Sequence, residues 1–161
     1  MVIVYAVKGF DGANLPLDNP LQVPAHRYSG RVLASGKEAV RTTPKFERVR
    51  LLGDVVFVSG TAAIKGEDSE FSEDTRVQAL GAIDVVEHLV APSNISPNCS
   101  AFRFGYLRVY VRRPQDLEPV REMFISHFRD TPIHFLQADI CRPELLLELE
   151  GVGRALPFLR P

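Results

Sequence analysis

Ala138-Asp139-Ile140-Cys141-Arg142-Pro143-Glu144-Leu145-Leu146-Leu147-Glu148-Leu149-Glu150-Gly151 is the stretch on which the reading of this chain turns. It gathers a thiol, a guanidinium and four carboxylates around a proline, then runs into an alternation of Leu and Glu. Strict alternation predicts a β-strand with one buried and one polar face. If Leu145 to Glu150 is extended, the period of two puts Leu146, Glu148 and Glu150 on one side and Leu145, Leu147 and Leu149 on the other. One face can enter a core while the other presents carboxylates. Two readings fit: an edge strand whose acidic face is solvated and guards against edge-to-edge pairing, or a rigid strand carrying reactive groups. Cys141 beside Arg142 favours the second, because a neighbouring cation lowers a thiol pKa.

Outside this stretch, composition sets the bounds. The chain has 161 residues, 45% of them hydrophobic, which is the size and apolar content of one domain with one core. A net charge of −1, with acidic and basic residues interspersed, leaves no polybasic patch, so nucleic acid is not an expected partner. No apolar run reaches the ~18 residues that span a bilayer. The start MVIVYAVKGF has neither the basic region nor the cleavage site of a signal peptide, and the expectation is a cytoplasmic chain with no membrane partner. Cys99 and Cys141 form no CxxC pair and are expected as reduced thiols. His26, His88, His127 and His134 lack ligand spacing, so neither a metal nor a cofactor is expected.

Working back along the chain, Val2 to Val7 reads as a strand. Residues 8 to 27, with three prolines and two glycines, read as an extended, irregular segment, and residues 28 to 44 as a loop. Phe46 to Leu52 and Val55 to Ile64 are β-type runs joined by Gly53-Asp54, which predicts a tight hairpin. The small residues Ser59-Gly60-Thr61-Ala62-Ala63 either admit a ligand or pack beneath a helix. Ser72, Glu73 and Asp74 read as a helix start. Val77, Leu80, Ile83, Val86 (or Val85) and Val90 form its apolar stripe until Pro92 stops it; Gln78 and His88 fall at its surface. Phe102 to Arg112 reads as a long strand, with Phe102, Phe104, Tyr106, Arg108, Tyr110 and Arg112 on one face and Leu107, Val109 and Val111 on the other. A second helix carries Leu117, Val120, Met123, Phe124 and Phe128, and a strand follows over Ile133 to Ile140. The order predicts an α+β fold, a mostly antiparallel sheet with two helices on one face. Residues 1–45 are expected as an N-terminal strand and extended lead-in, and residues 46–161 as the domain proper.

ADICRPELLLELEG, taken in order with VVFVSGTAAI at 55–64, the helix of Gln78, Val109-Tyr110-Val111-Arg112 and Asn19-Pro20-Leu21-Gln22-Val23-Pro24-Ala25 upstream, resembles the C-terminal domain of the chorismatases. These belong to the YjgF/RidA superfamily, also called the endoribonuclease L-PSP family, whose trimeric members deaminate reactive enamines and imines. The resemblance implies the chorismate-mutase-like fold, a homotrimer with sites in the clefts between subunits, and a small carboxylate substrate, chorismate or a related enol ether, from which pyruvate is removed. Glu148 stands seven residues after Cys141, as in chorismatases that make 3-hydroxybenzoate. Glu148 is thereby implied as the proton donor and Cys141 as a residue shaping the outcome. Arg142, Arg112, Arg41 and Tyr28 would hold substrate carboxylates, with Thr61 and Ala63 lining the cleft. The lead-in resembles the end of the first chorismatase domain and the connector into the second, so the resemblance implies a second domain with its lead-in, the main departure from the family. Two alternatives stay open. An imine deaminase of the superfamily carries an Arg shortly after the proline that opens the penultimate strand, where Pro132-Ile133-His134 places His134 instead; a non-catalytic small-molecule-binding trimer is the other.

Overall fold

The computed structural model describes residues 7–30, 44–70 and 73–158. The strands are β1 (Asn14–Leu17), β2 (Val49–Leu52), β3 (Val55–Thr61), the short pair β4 (Ile64–Lys65) and β5 (Asp68–Ser69), β6 (Cys99–Val111), β7 (Ile133–Gln137) and β8 (Leu147–Pro157). The helices are α1 (Thr75–Leu89), the single turn α2 (Pro92–Ile95) and α3 (Leu117–His127). Six strands form one sheet in the order β1-β2-β3-β8-β6-β7. Only the β6–β7 pairing is parallel among its ladders, because the chain crosses through α3 between those two strands. The expected α+β architecture, mostly antiparallel, is what the described residues show.

The hairpin of β2 and β3 closes as expected, with Leu52 opposite Val55 and Gly53 at φ 63°, a left-handed conformation that glycine adopts without a Cβ penalty. The core lies between the sheet and the helices. Val49, Leu51, Val56 and Val58 meet Leu107, Val109, Leu147 and Leu149 on the sheet side, with Ile83, Val86, Leu89, Val120 and Phe124 from the helices above. The Leu/Glu alternation holds from Leu147 onward. Leu145 precedes the strand and joins a smaller cluster with Ala62, Ile64 and Ile140.

Several expectations need correction. The strand expected over Val2 to Val7 lies outside the described residues, apart from Val7. The lead-in holds β1, which joins the sheet at its edge, where Pro16 costs no ladder bond that a neighbour requires. Asn19 and Gln22 behind it are buried and donate to the carbonyls of Val85 and Ile64 at 2.9 and 3.0 Å, which ties the lead-in to the body. Helix α1 is capped by Asp74, whose side chain accepts from the Arg76 amide; Ser72 lies outside the described residues. Its buried face is turned relative to the expected stripe: Val77 and Leu80 are exposed while Gln78, Ala79 and Ala82 are buried. Small residues permit the close approach, since a Cβ on Gly81 would already stand 3.0 Å from that of Ala63. On β6 the register against β8 shifts between Phe104 and Tyr106. That irregularity turns Phe102 and Phe104 toward the core and leaves Tyr106, Arg108 and Tyr110 on the opposite face, so the six-residue face read from the sequence is split in two.

Candidate active site

The corner between β7 and β8 is held from two sides. The Arg112 guanidinium, at the end of β6, donates from Nε to the Leu145 carbonyl at 2.8 Å and from Nη2 to the carbonyls of Ile140 and Arg142 at 2.7 and 3.0 Å. It also stands 3.5 Å from Asp139, which is almost fully exposed and so contributes little. Gln78 reaches the corner from α1, donating from Nε2 to the Glu144 carbonyl and accepting from the Leu146 amide, both at 2.8 Å. An amide supplies one donor and one acceptor at once, which is why a buried position suits Gln78 and the expected surface position does not. Arg112, expected as a substrate ligand, is instead spent on main-chain carbonyls; it fixes the corner.

Within that frame lie two cations, Arg48 buried and Arg142 partly buried. Arg142 donates from Nη1 to the Glu67 carbonyl at 2.8 Å and to Ser69 Oγ at 3.1 Å, and its guanidinium lies 5.3 Å from the centre of the Tyr28 ring. Arg48, 3% exposed, lies 5.7 Å from the same ring and 5.0 Å from that of Phe46, and donates to the Tyr28 hydroxyl. Nε of Arg48 and Nη2 of Arg142 are buried with no hydrogen-bond partner. Neither guanidinium is ion-paired to a carboxylate among the described residues. Unpaired buried charge is costly, and two such groups on one tyrosine form a cradle that an anion with two acceptor groups would complete. Arg48 carried no sequence signal: a single arginine in a β-type run reads as a solvent-facing side chain, and its burial depends on Tyr28 arriving from twenty residues upstream.

Glu148 lies on β8 on the face away from the helices, with Tyr110 directly across on β6. A Cβ on Gly60 would overlap its carboxylate, so the bare backbone of β3 is what leaves room for it. Burial pushes the Glu148 pKa above the ordinary value of 4.5, Glu150 pushes it further, and Arg48 pulls it partly back. Cys141, in an exposed residue, has its thiol pushed up by loss of hydration and then by the Glu148 carboxylate, with Arg142 opposing. The lowered thiol pKa expected from Arg142 is therefore overturned, because loss of hydration and the Glu148 carboxylate together outweigh the guanidinium. Of the expected site residues, Glu148, Cys141, Arg142 and Tyr28 are brought together. Thr61 is fully buried, its hydroxyl donating to the Ser59 carbonyl at 2.9 Å; Ala63 is buried under α1. Neither lines a cleft in this chain, as the expectation had it. Arg41 lies outside the described residues.

Next to Glu148 runs a polar row: the Tyr110 hydroxyl donates to Glu150 Oε1 at 2.5 Å, Arg108 Nε stands 3.0 Å from the same oxygen, and Arg108 Nη2 donates to the Tyr106 hydroxyl at 3.2 Å. Among the described residues no group of three or more His, Cys, Asp or Glu side chains is placed to hold a metal ion, and no helix is long and apolar enough to cross a membrane.

No protein-family model matches the chain. It is 32% identical to 3-hydroxybenzoate synthase from Streptomyces hygroscopicus over 94% of its own length and 46% of that protein. A chorismatase crystal structure superposes with a TM-score of 0.75 at 27% identity, over 88% of this chain and 44% of the other. An Entamoeba histolytica protein of endoribonuclease L-PSP type superposes with a TM-score of 0.63 at 11% identity, over 89% of this chain and all of the other, a likeness of fold alone. The chain spans about half the length of the curated relatives it matches.

Proposed function

We propose that this chain, similar to chorismatases in sequence and structure and to endoribonuclease L-PSP proteins in fold, is a chorismatase-like enzyme that removes pyruvate from chorismate or a related enol ether. The observation that carries this reading is a carboxyl group biased toward its acid form, Glu148, set beside two guanidiniums, one buried and one partly buried, each with a buried N–H group to spare. The substrate class supplies the matching parts: two carboxylates for Arg48 and Arg142, with Tyr28 between them, and an enolpyruvyl methylene carbon for Glu148. Proton transfer from Glu148 to that carbon converts the enol ether into an oxocarbenium ion. If water adds to the oxocarbenium carbon, the hemiketal collapses by breaking that carbon's bond to the ether oxygen, so pyruvate leaves and the ring keeps both oxygens as a dihydrodiol; if the ring C–O bond breaks instead, the ether oxygen leaves with pyruvate and loss of a ring proton aromatises the ring to a hydroxybenzoate. The thiol of Cys141, neutral because its pKa is raised, sits where it can bias that choice without competing for the proton.

Incubation with chorismate, followed by mass-spectrometric analysis of the ring product, tests the reading. The unaltered chain is expected to yield pyruvate and a hydroxybenzoate, and Cys141→Ala to keep releasing pyruvate while changing the ring product. An unchanged product from Cys141→Ala would remove the thiol from the mechanism.

The assembly proposed with this activity is a homotrimer. The sheet face opposite the helices carries Phe57, Tyr106, Tyr110 and Val152, all only partly buried, and a half-apolar sheet face of that kind needs a partner. Light scattering at micromolar protein is expected to give three times the chain mass. A monomeric mass would confine the site to one chain.

A further inference from the structure

Glu148 and Glu150 leave β8 on the same face, two residues apart, and only Glu150 has a hydroxyl and a guanidinium gathered on its carboxylate. Glu150 Oε1 receives the Tyr110 hydroxyl at 2.5 Å and faces Arg108 Nε at 3.0 Å. The hydroxyl donates a hydrogen bond, and the guanidinium contributes its charge as an ion pair. Arg108 and Glu150 are largely buried, with side chains 15% and 22% exposed, so the arrangement is poorly screened. Arg108 is itself steadied by the Tyr106 hydroxyl and by the Tyr106 ring at 5.5 Å. Tyr110 is pushed up to about 12, by burial first and then by Glu150, and stays a donor throughout the physiological range. Among the described residues Glu148 has no such donor. Tyr110 stands across from it, the bare backbone of Gly60 lies against its carboxylate, and Arg48 is near enough to oppose the effect of Glu150.

We propose that Glu150 is a positioning residue for Glu148: pinned as a carboxylate by Arg108 and Tyr110, it keeps its neighbour on the same strand face in the acid form that proton donation requires. Two carboxylates in one low-dielectric site do not both ionise readily. The one with donors takes the charge and the other keeps the proton. Arg48 opposes this, and the balance between Arg48 and Glu150 sets how much acid remains near neutral pH. The inference rests on Glu148 being the proton donor, so its test reads the protonation of Glu148 separately from turnover.

Glu150→Gln removes the charge, and with it the ion pair to Arg108, but leaves an acceptor where Oε1 stands for the Tyr110 hydroxyl. The Glu148 carboxyl is followed by 13C NMR with Glu-labelled protein, its resonance assigned by its loss in Glu148→Gln. The expected result is a titration midpoint lower by about one unit, the scale of effect a neighbouring charge exerts, which means about tenfold less acid form at pH above both midpoints. The high-pH limb of kcat should move down with it. Glu150→Asp, which keeps the charge, should hold the midpoint near that of the unaltered chain. An unmoved midpoint in Glu150→Gln overturns the proposal. A midpoint that falls as expected, in a chain that releases no pyruvate from chorismate, supports the coupling and overturns the assigned reaction instead.

Discussion

Glu148→Gln should abolish pyruvate release while leaving the protein folded and more heat-stable. Protonating an enol-ether carbon needs an acid within reach, and an amide of the same shape hydrogen-bonds but delivers no proton. A loss of roughly a hundredfold to ten-thousandfold in kcat is the size that removing a general acid produces, with KM changed little because Arg48, Arg142 and Tyr28 remain. The stability gain follows from the raised pKa. As pH rises past the ordinary carboxyl range the unfolded chain releases this proton first, so stability declines until the folded group ionises too. Glutamine has no proton to lose, so the decline disappears. Thermal unfolding of the two proteins between pH 4 and pH 8 should show the variant with the higher midpoint at the upper end and the flatter profile. Retained turnover would move the acid elsewhere; a destabilised variant would mean that the Glu148 carboxylate is held by favourable contacts.

Gly60→Ala should be nearly as damaging to activity, by a different route. The added Cβ would occupy the space of the Glu148 carboxylate, with Cδ at 2.8 Å and Cγ at 3.4 Å. Since the colliding group is the end of a flexible side chain, the cheapest relief is for Glu148 to swing away while the β3–β8 ladder stays intact. Displacement of a catalytic group by about 1 Å costs on the order of a hundredfold. The expected outcome is therefore a folded protein with near-normal thermal stability, kcat reduced by about that factor, and the Glu148 carboxyl resonance shifted toward that of a solvated glutamate. Full activity would show that the acid acts from another position.

What the sequence shows of this arrangement depends on how local each feature is. The Leu/Glu alternation, the Gly53-Asp54 turn and the stripe of α3 are fixed by neighbours within a few residues, and the structure has them where local patterning puts them. β1 escapes notice because Pro16, with Pro20 and Pro24 after it, reads as irregular chain, and only its place at the sheet edge makes Pro16 acceptable. The turned face of α1 reflects the distance at which α1 rides over Ala63, a tertiary constraint that no periodicity encodes. On β6 one register shift reverses the direction of two phenylalanines. In the site, Glu148, Cys141, Arg142 and Tyr28 were accessible through resemblance, whereas Arg48, Gly60 and Glu150 acquire meaning only from what stands beside them. Arg112 shows the converse: a guanidinium near the site invites a substrate role, and three carbonyls claim it first.

The central claim is that this chain, about half the length of its curated relatives, carries a complete acid and anion cradle. The most direct test is pyruvate release from chorismate by the purified chain alone, followed continuously with a coupled dehydrogenase. The account predicts release at a rate proportional to protein concentration, running to one pyruvate per chorismate supplied. Release no faster than the uncatalysed background, from folded protein at saturating chorismate, would contradict it.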